Sequence, residues 1–142
     1  MNQSNQSLAA LLGRLFVAAV FVLSGINKVG NFSGTAAFMS SAGLPMAELL
    51  LVPTIAIEII CGLMIVLGWQ TRFAALILLL FMIPVTLVFH NPWAATEAAL
   101  AQQQMIHFLK NLAIMGGLLN LIAFGAGSYS IEARRLPWPQ QV

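Results

Sequence analysis

The stretch "TIAIEIICGLM" (residues 54–64) sets one carboxylate, Glu58, inside an otherwise apolar run that continues to Leu67. At 1.5 Å per helical residue, a run entered by "GLP" (43–45) and ending at Leu67 is long enough to cross a hydrocarbon core of about 30 Å. A carboxylate near the middle of such a helix needs a partner, and the fold has to supply it.

Working outward, three further segments have the same length and character. The expected spans are 8–29, 45–67, 72–89 and 105–124, with Gly and Pro mostly in the connections. The composition agrees: of 142 residues, 60% are hydrophobic and only 7% charged. A water-soluble domain of this size needs about 25% charged residues to cover its surface, so lipid is the expected solvent. The expected fold is an all-α, integral membrane four-helix bundle in one transmembrane domain over residues 1–142. The net charge of +2 comes from too few residues to build the basic face that nucleic acid requires, so no nucleic-acid partner is expected. The single Cys61 excludes an internal disulfide and is expected to pack as a small apolar side chain, as are the seven scattered methionines. The start, "MNQSNQSLAALLGRLF", has no basic residue before its apolar run, so the first span is read as retained.

An even number of spans puts both ends of the bundle's chain on one side. Arg72 lies in the turn between spans 2 and 3, and Arg134 and Arg135 follow span 4, so the positive-inside rule favours an N-in, C-in topology. On that topology "NFSGTAAFMSSAGLP" (31–45) faces outward. Its Phe32, Ala36 and Met39 have helical spacing, which predicts a short interfacial helix between spans 1 and 2. Trp69, Trp93 and Trp138 fall near span ends, where interfacial rings belong.

A charge inside a bilayer costs at least ~2.5–3.5 kcal/mol and normally faces protein or a cavity. Four side chains qualify: Arg14, Lys28, Glu58 and Lys110. Glu48 is set apart, because in the first turn after Pro45 a carboxylate suits the positive end of the helix. Arg14 and Lys28 share one face of span 1 with Ala18, Phe21 and Gly25. On span 4, His107, Lys110, Asn111 and Ile114 share a face that Gly117 continues, and Ala113 with Gly117 forms a small-xxx-small pair. Counting depth along each span places Glu58 roughly one helical turn from either Arg14 or Lys110 along the normal. The expected charge network is therefore Arg14, Glu58 and Lys110, with either cation pairing Glu58 and Lys28 snorkelling to water. Three embedded cations against one carboxylate leave a positive surplus: either His90 and His107 stay neutral and water solvates the rest, or an anionic or strongly hydrogen-bond-accepting guest enters from outside.

Pro53 and Pro84 fall in the outer halves of spans 2 and 3. Each frees a carbonyl and tends to kink its helix, which is tolerated where the helix lines a cavity. Lys28, Glu58, His90, His107, Lys110 and Asn111 form the expected ligand-binding set, and the competing reading is that these groups only hold the helices together. Facing histidines could alternatively hold a haem, or a metal with Glu97; neither is favoured, and no metal site is assigned. No phosphate loop, nucleophile elbow, zinc motif or dinucleotide fingerprint occurs, so no catalytic residue is assigned and any chemistry would need a cofactor or partner.

The segments "GRLFVAAVFVLSGINKVGNF", "IEIICGLMIVLGWQTRFAAL", "FHNPW", "MIHFLKNLAIMGGLLNL" and "GAGSYSIEARR" together resemble the DoxX family of small four-span bacterial membrane proteins, from Gly13 to Arg135. The family pattern carries the basic residue after "SG" (Lys28), the span 2 glutamate (Glu58), the "TR" of span 3 (Thr71, Arg72) and the "KN" of span 4 (Lys110, Asn111). Its closing "GPGxxSLD" is here "GAGSYSIE", with Ala126 for Pro and Glu132 for Asp. The resemblance implies a bacterial inner-membrane protein. Some relatives are linked to thiosulfate oxidation with quinone as acceptor, or to membrane oxidoreductases that respond to oxidative stress. It thus implies a quinone-interacting or membrane-anchoring subunit of an oxidoreductase, with quinone as cofactor and a redox subunit as partner. The alternatives are a small-solute or ion transporter or channel working as a homo-oligomer, and a structural membrane partner without ligand.

Overall fold

The computed structural model describes residues 2–135; Trp138 lies outside the described residues. Helix α1 spans Gln3–Gly30, α2 Phe32–Ser41, α3 Ala47–Leu67 and α4 Thr71–Phe89. After a 3-10 turn at Pro92–Ala94 come α5, Ala98–Phe124, and the short α6, Ile131–Arg135. Among the described residues, α1, α3, α4 and α5 are the four helices long and apolar enough to cross a membrane. They run alternately up and down, with α3 packed between α1 and α4, α5 against α4, and a lighter contact closing α5 onto α1.

Two helices start earlier than their apolar runs. α1 includes the polar "QSNQS", and α5 begins at Ala98 rather than at residue 105. Hydropathy marks where lipid begins, whereas the helix continues wherever no breaker intervenes; "AALAQQQ" is made of good helix formers. α3 starts two residues after Pro45, with Met46 in the left-handed conformation before it. Both α3 and α4 continue through their internal prolines, Pro53 and Pro84.

The core is built from small residues and a few large ones. Ala18 and Phe21 of α1 meet Cys61 and Ile65 of α3, Ala74, Ala75, Leu78 and Met82 of α4, and Leu118 and Leu121 of α5. α1 and α3 approach closely at two glycines. A Cβ at Gly25 would lie 2.6 Å from Ile59 Cγ1, and one at Gly62 2.7 Å from Val22 Cγ2. Gly117 of α5 plays the same part against Val17 of α1, while Ala113, its expected companion, is exposed. The predicted helix between spans 1 and 2 is α2. Its Ala36 and Met39 are buried against Ala47 and Leu51 of α3, so this face packs on protein.

The α3–α4 turn is a Schellman stop. Gly68 N–H donates to Ile65 O and Trp69 N–H to Met64 O, with Gly68 at φ 66°. A Cβ there would collide with Ser130 and with Arg14 Nη1. Gly68→Ala is expected to cost about 2 kcal/mol, from the left-handed backbone and the collision together, read as a lowered midpoint in denaturant titration.

Candidate functional site

The carboxylate of Glu58 is met by Lys28, which corrects the sequence-based expectation of Arg14 or Lys110. Lys28 Nζ lies 2.9 Å from both Oε1 and Oε2 of Glu58. Ser24 Oγ accepts from the same ammonium and donates to Glu58 Oε1 at 3.3 Å. Two physical facts explain the outcome. Helical Cβ bonds tilt toward the N-terminus, so Lys28, near the end of α1, sends its chain back toward Ser24 instead of out to water. The close α1–α3 approach at Gly25 then brings Glu58 within reach. Glu58 itself is buried, and the Lys28 side chain is 24% exposed.

Arg14 is on the expected inward face but does different work. Buried at 2% exposure, it donates through Nη1 to Ala126 O at 2.6 Å and through Nη2 to Tyr129 O at 2.8 Å and Val66 O at 3.3 Å. The register of α3 sets Val66 beside Arg14, and Val66 is eight residues, about 12 Å, along the helix from Glu58. Glu132 completes this end: its Oε1 accepts from Thr71 N–H at 2.8 Å, capping α4, and its own N–H donates to Gly68 O at 3.1 Å. Between this cluster and Glu58 stand Ala18, Phe21, Cys61 and Ile65, all buried.

Lys110 is the remaining embedded cation. It is exposed, and no carboxylate lies within ion-pair distance of it among the described residues; the one ion pair there is Lys28–Glu58. Its Nζ lies 3.3 Å from His107 Nδ1, and because an ammonium only donates, that nitrogen is the acceptor. His90, capping the end of α4, stands 3.2 Å from Gln104 Oε1 through Nδ1. The two imidazoles stack, with centroids 5.0 Å apart and planes 26° from parallel. Rings stacked in that way cannot put one nitrogen on each face of a haem iron, so the residues do not fit the haem alternative. Among the described residues, no three His, Cys, Asp or Glu side chains gather as metal ligands. One turn below, Asn111 is buried and donates to Thr86 Oγ1 at 3.0 Å, which leaves its carbonyl oxygen available.

These groups surround a partly open cavity of about 290 Å³. Its polar wall holds Lys28, Glu58, His90, Lys110 and Asn111 from four different helices or their ends; its apolar wall includes Phe21, Phe81, Met82 and Phe89. Thr54 and Val85, each one residue beyond an intrahelical proline, also line it. The helix α2 closes one side with Thr35, Phe38 and Met39, and Phe38 stacks on Phe89 with centroids 5.4 Å apart. His107 does not line the cavity and reaches it through Lys110 and His90. Ser24, Thr86 and Gln104 escaped sequence reading. Ser24 had a detectable signal, since it precedes Lys28 by one helical turn; the partners across helices had none.

Four alternating apolar helices, an ion pair buried between two of them and a second cluster sealing one end define a small multi-pass membrane protein. The chain belongs to the DoxX family, whose sequence pattern matches residues 9–91 and so includes Lys28, Glu58 and His90. Two relatives from Escherichia coli (strain K12) are similar along most of their length. The inner membrane protein YphA is 32% identical over 87% of this chain and 88% of its own, and the inner membrane protein YqjF is 33% identical over 89% and 92%. A Surfeit locus protein 4 homolog of Drosophila melanogaster is 26% identical over 92% of this chain and 50% of its own. No solved structure matches at a significant level. With four apolar spans, this family and these relatives, the protein is a multi-pass inner-membrane protein.

Proposed function

We propose that the chain is the quinone-interacting or membrane-anchoring subunit of an oxidoreductase, and that the cavity takes a lipid-soluble guest through its polar oxygens. The observation that carries this reading is Lys110: a cation on the cavity wall, without a carboxylate partner among the described residues, beside phenylalanines that suit a flat apolar body. Lys110 and Asn111 would hold the guest's oxygens, His107 would hold Lys110, and the Lys28–Glu58 pair would offer a proton-exchanging wall. With the arginines of the α3–α4 turn and α6 facing the cytoplasm, the topology is N-in, C-in and the cavity opens to the outer half.

Protein extracted with its lipids is expected to retain quinone in native mass spectrometry. Lys110→Met is expected to weaken quinone binding about tenfold, since a charge-assisted hydrogen bond contributes about 1.5–3 kcal/mol, with less than ~1 kcal/mol lost in stability. Unchanged affinity in that variant, or no retained quinone in the wild type, would sink the reading. The channel alternative needs a polar track from Arg14 through Glu58 to Lys110. Arg14 is bound to three carbonyls and separated from Glu58 by buried apolar side chains, so liposomes carrying the protein are expected to stay tight to ions.

A further inference from the structure

The charged side chains divide between the two ends of the bundle by type as well as by number. Arg14, Arg72, Arg134 and Arg135 gather with Glu132 where α3 turns into α4 and α5 runs on to α6. Lys28 and Lys110 share the opposite half with Glu48, Glu58 and Glu97. Four arginines against one glutamate leave +3 at the first end; two lysines against three glutamates leave −1 at the other, and together these are the chain's formal +2. Every arginine is at one end, and every lysine at the other.

Glu132, the one side-chain carboxylate of the arginine end among the described residues, is already engaged, capping Thr71 N–H and bonding back to Gly68. Arg14 is consumed by carbonyls. Arg72, Arg134 and Arg135 remain exposed, with no carboxylate within ion-pair distance among the described residues. They are not displayed from loose chain: Ser130 Oγ accepts from Ala133 N–H, and Glu132 ties α6 to the α3–α4 turn. Trp69, Tyr129 and Phe124 are exposed at the same end, as aromatic rings are at the level of lipid headgroups. A guanidinium presents a planar fork that matches two phosphate oxygens, which an ammonium does not.

We propose that this end is a docking surface for anionic phospholipid, with Arg72, Arg134 and Arg135 holding headgroup phosphates of the adjoining leaflet and Trp69 and Tyr129 seated at the same depth. The proposal is independent of what enters the cavity. The test uses the full chain in zwitterionic mixed micelles, titrated with phosphatidylglycerol or phosphatidylcholine and followed by native mass spectrometry and thermal unfolding. Wild-type protein is expected to retain phosphatidylglycerol preferentially and to melt at higher temperature with it. R134Q/R135Q is expected to lose about tenfold of that preference, and R134K/R135K to fall between the two. Should the double variant fail to fold, R72Q and the wild-type lipid comparison carry the decision. Equal retention of both lipids, an undiminished preference in the glutamine variants, or inorganic phosphate reproducing the thermal shift would each overturn the proposal, the last by showing a site for free anion.

Discussion

Glu58→Ala is expected to lower stability by about 3 kcal/mol, the largest loss from any single change in the cavity wall. Removing the carboxylate leaves Lys28 and Ser24 facing each other without the acceptor both of them contact. Breaking a buried pair by deleting one partner typically costs 3–5 kcal/mol, because the surviving charge stays desolvated. The lower figure applies here, since Lys28 retains 24% side-chain exposure and can gain some water. Replacing both partners by apolar residues of similar volume, Lys28→Met with Glu58→Leu, is expected to recover most of the loss, because neither charge is then stranded. Denaturant titrations in mixed micelles across the four-member cycle measure the coupling directly. If the double variant is as unstable as Glu58→Ala, the pair is not the unit described above.

Arg14→Met is expected to cost still more, about 4 kcal/mol. The guanidinium serves the carbonyls of Val66, Ala126 and Tyr129, and a buried carbonyl left without a donor costs about 1–3 kcal/mol. Arg14→Lys is expected to recover only part of this, since one compact ammonium cannot span acceptors that a planar fork reaches. Amide hydrogen exchange separates this effect from general loosening: residues 125–135 should exchange faster in Arg14→Met, while the middle of α3 keeps its protection. Uniform acceleration, or none, would contradict the assignment of Arg14 as the clasp of that segment.

The spans were legible because each is an apolar run bounded by Gly, Pro or polar residues, and lipid allows only helices to satisfy the backbone in such runs. The inward face of α1 was legible as well: Arg14, Ala18, Phe21 and Gly25 follow helical spacing, and all four are buried. The partner of Glu58 was not. Helical spacing fixes which face a residue occupies, but not the vertical offset between neighbouring helices, and that offset decides between Arg14 and Lys28, about four turns apart on one face of α1. That offset is set by side-chain interlocking at Gly25 and Gly62, where α1 and α3 nearly touch. Of the cavity groups, the embedded charges could be picked out by their cost in lipid. Thr86, which meets Asn111 across helices, carried no mark, since a hydroxyl in a span is commonly satisfied within its own helix, as Thr54 is by Leu50 O.

The Arg14 clasp also has a consequence for the order of assembly. Its two shortest bonds join residues 112 and 115 positions apart, so the side chain enters the bilayer on α1 and meets those acceptors only after α5 is in place. During the interval a full charge waits in a half-built bundle, dependent on water, lipid phosphate or the insertion machinery. Closure of the bundle is therefore tied to synthesis of the segment that carries Ala126 and Tyr129, and a ribosome that stalls before Gly125 leaves behind a helix with an unquenched cation.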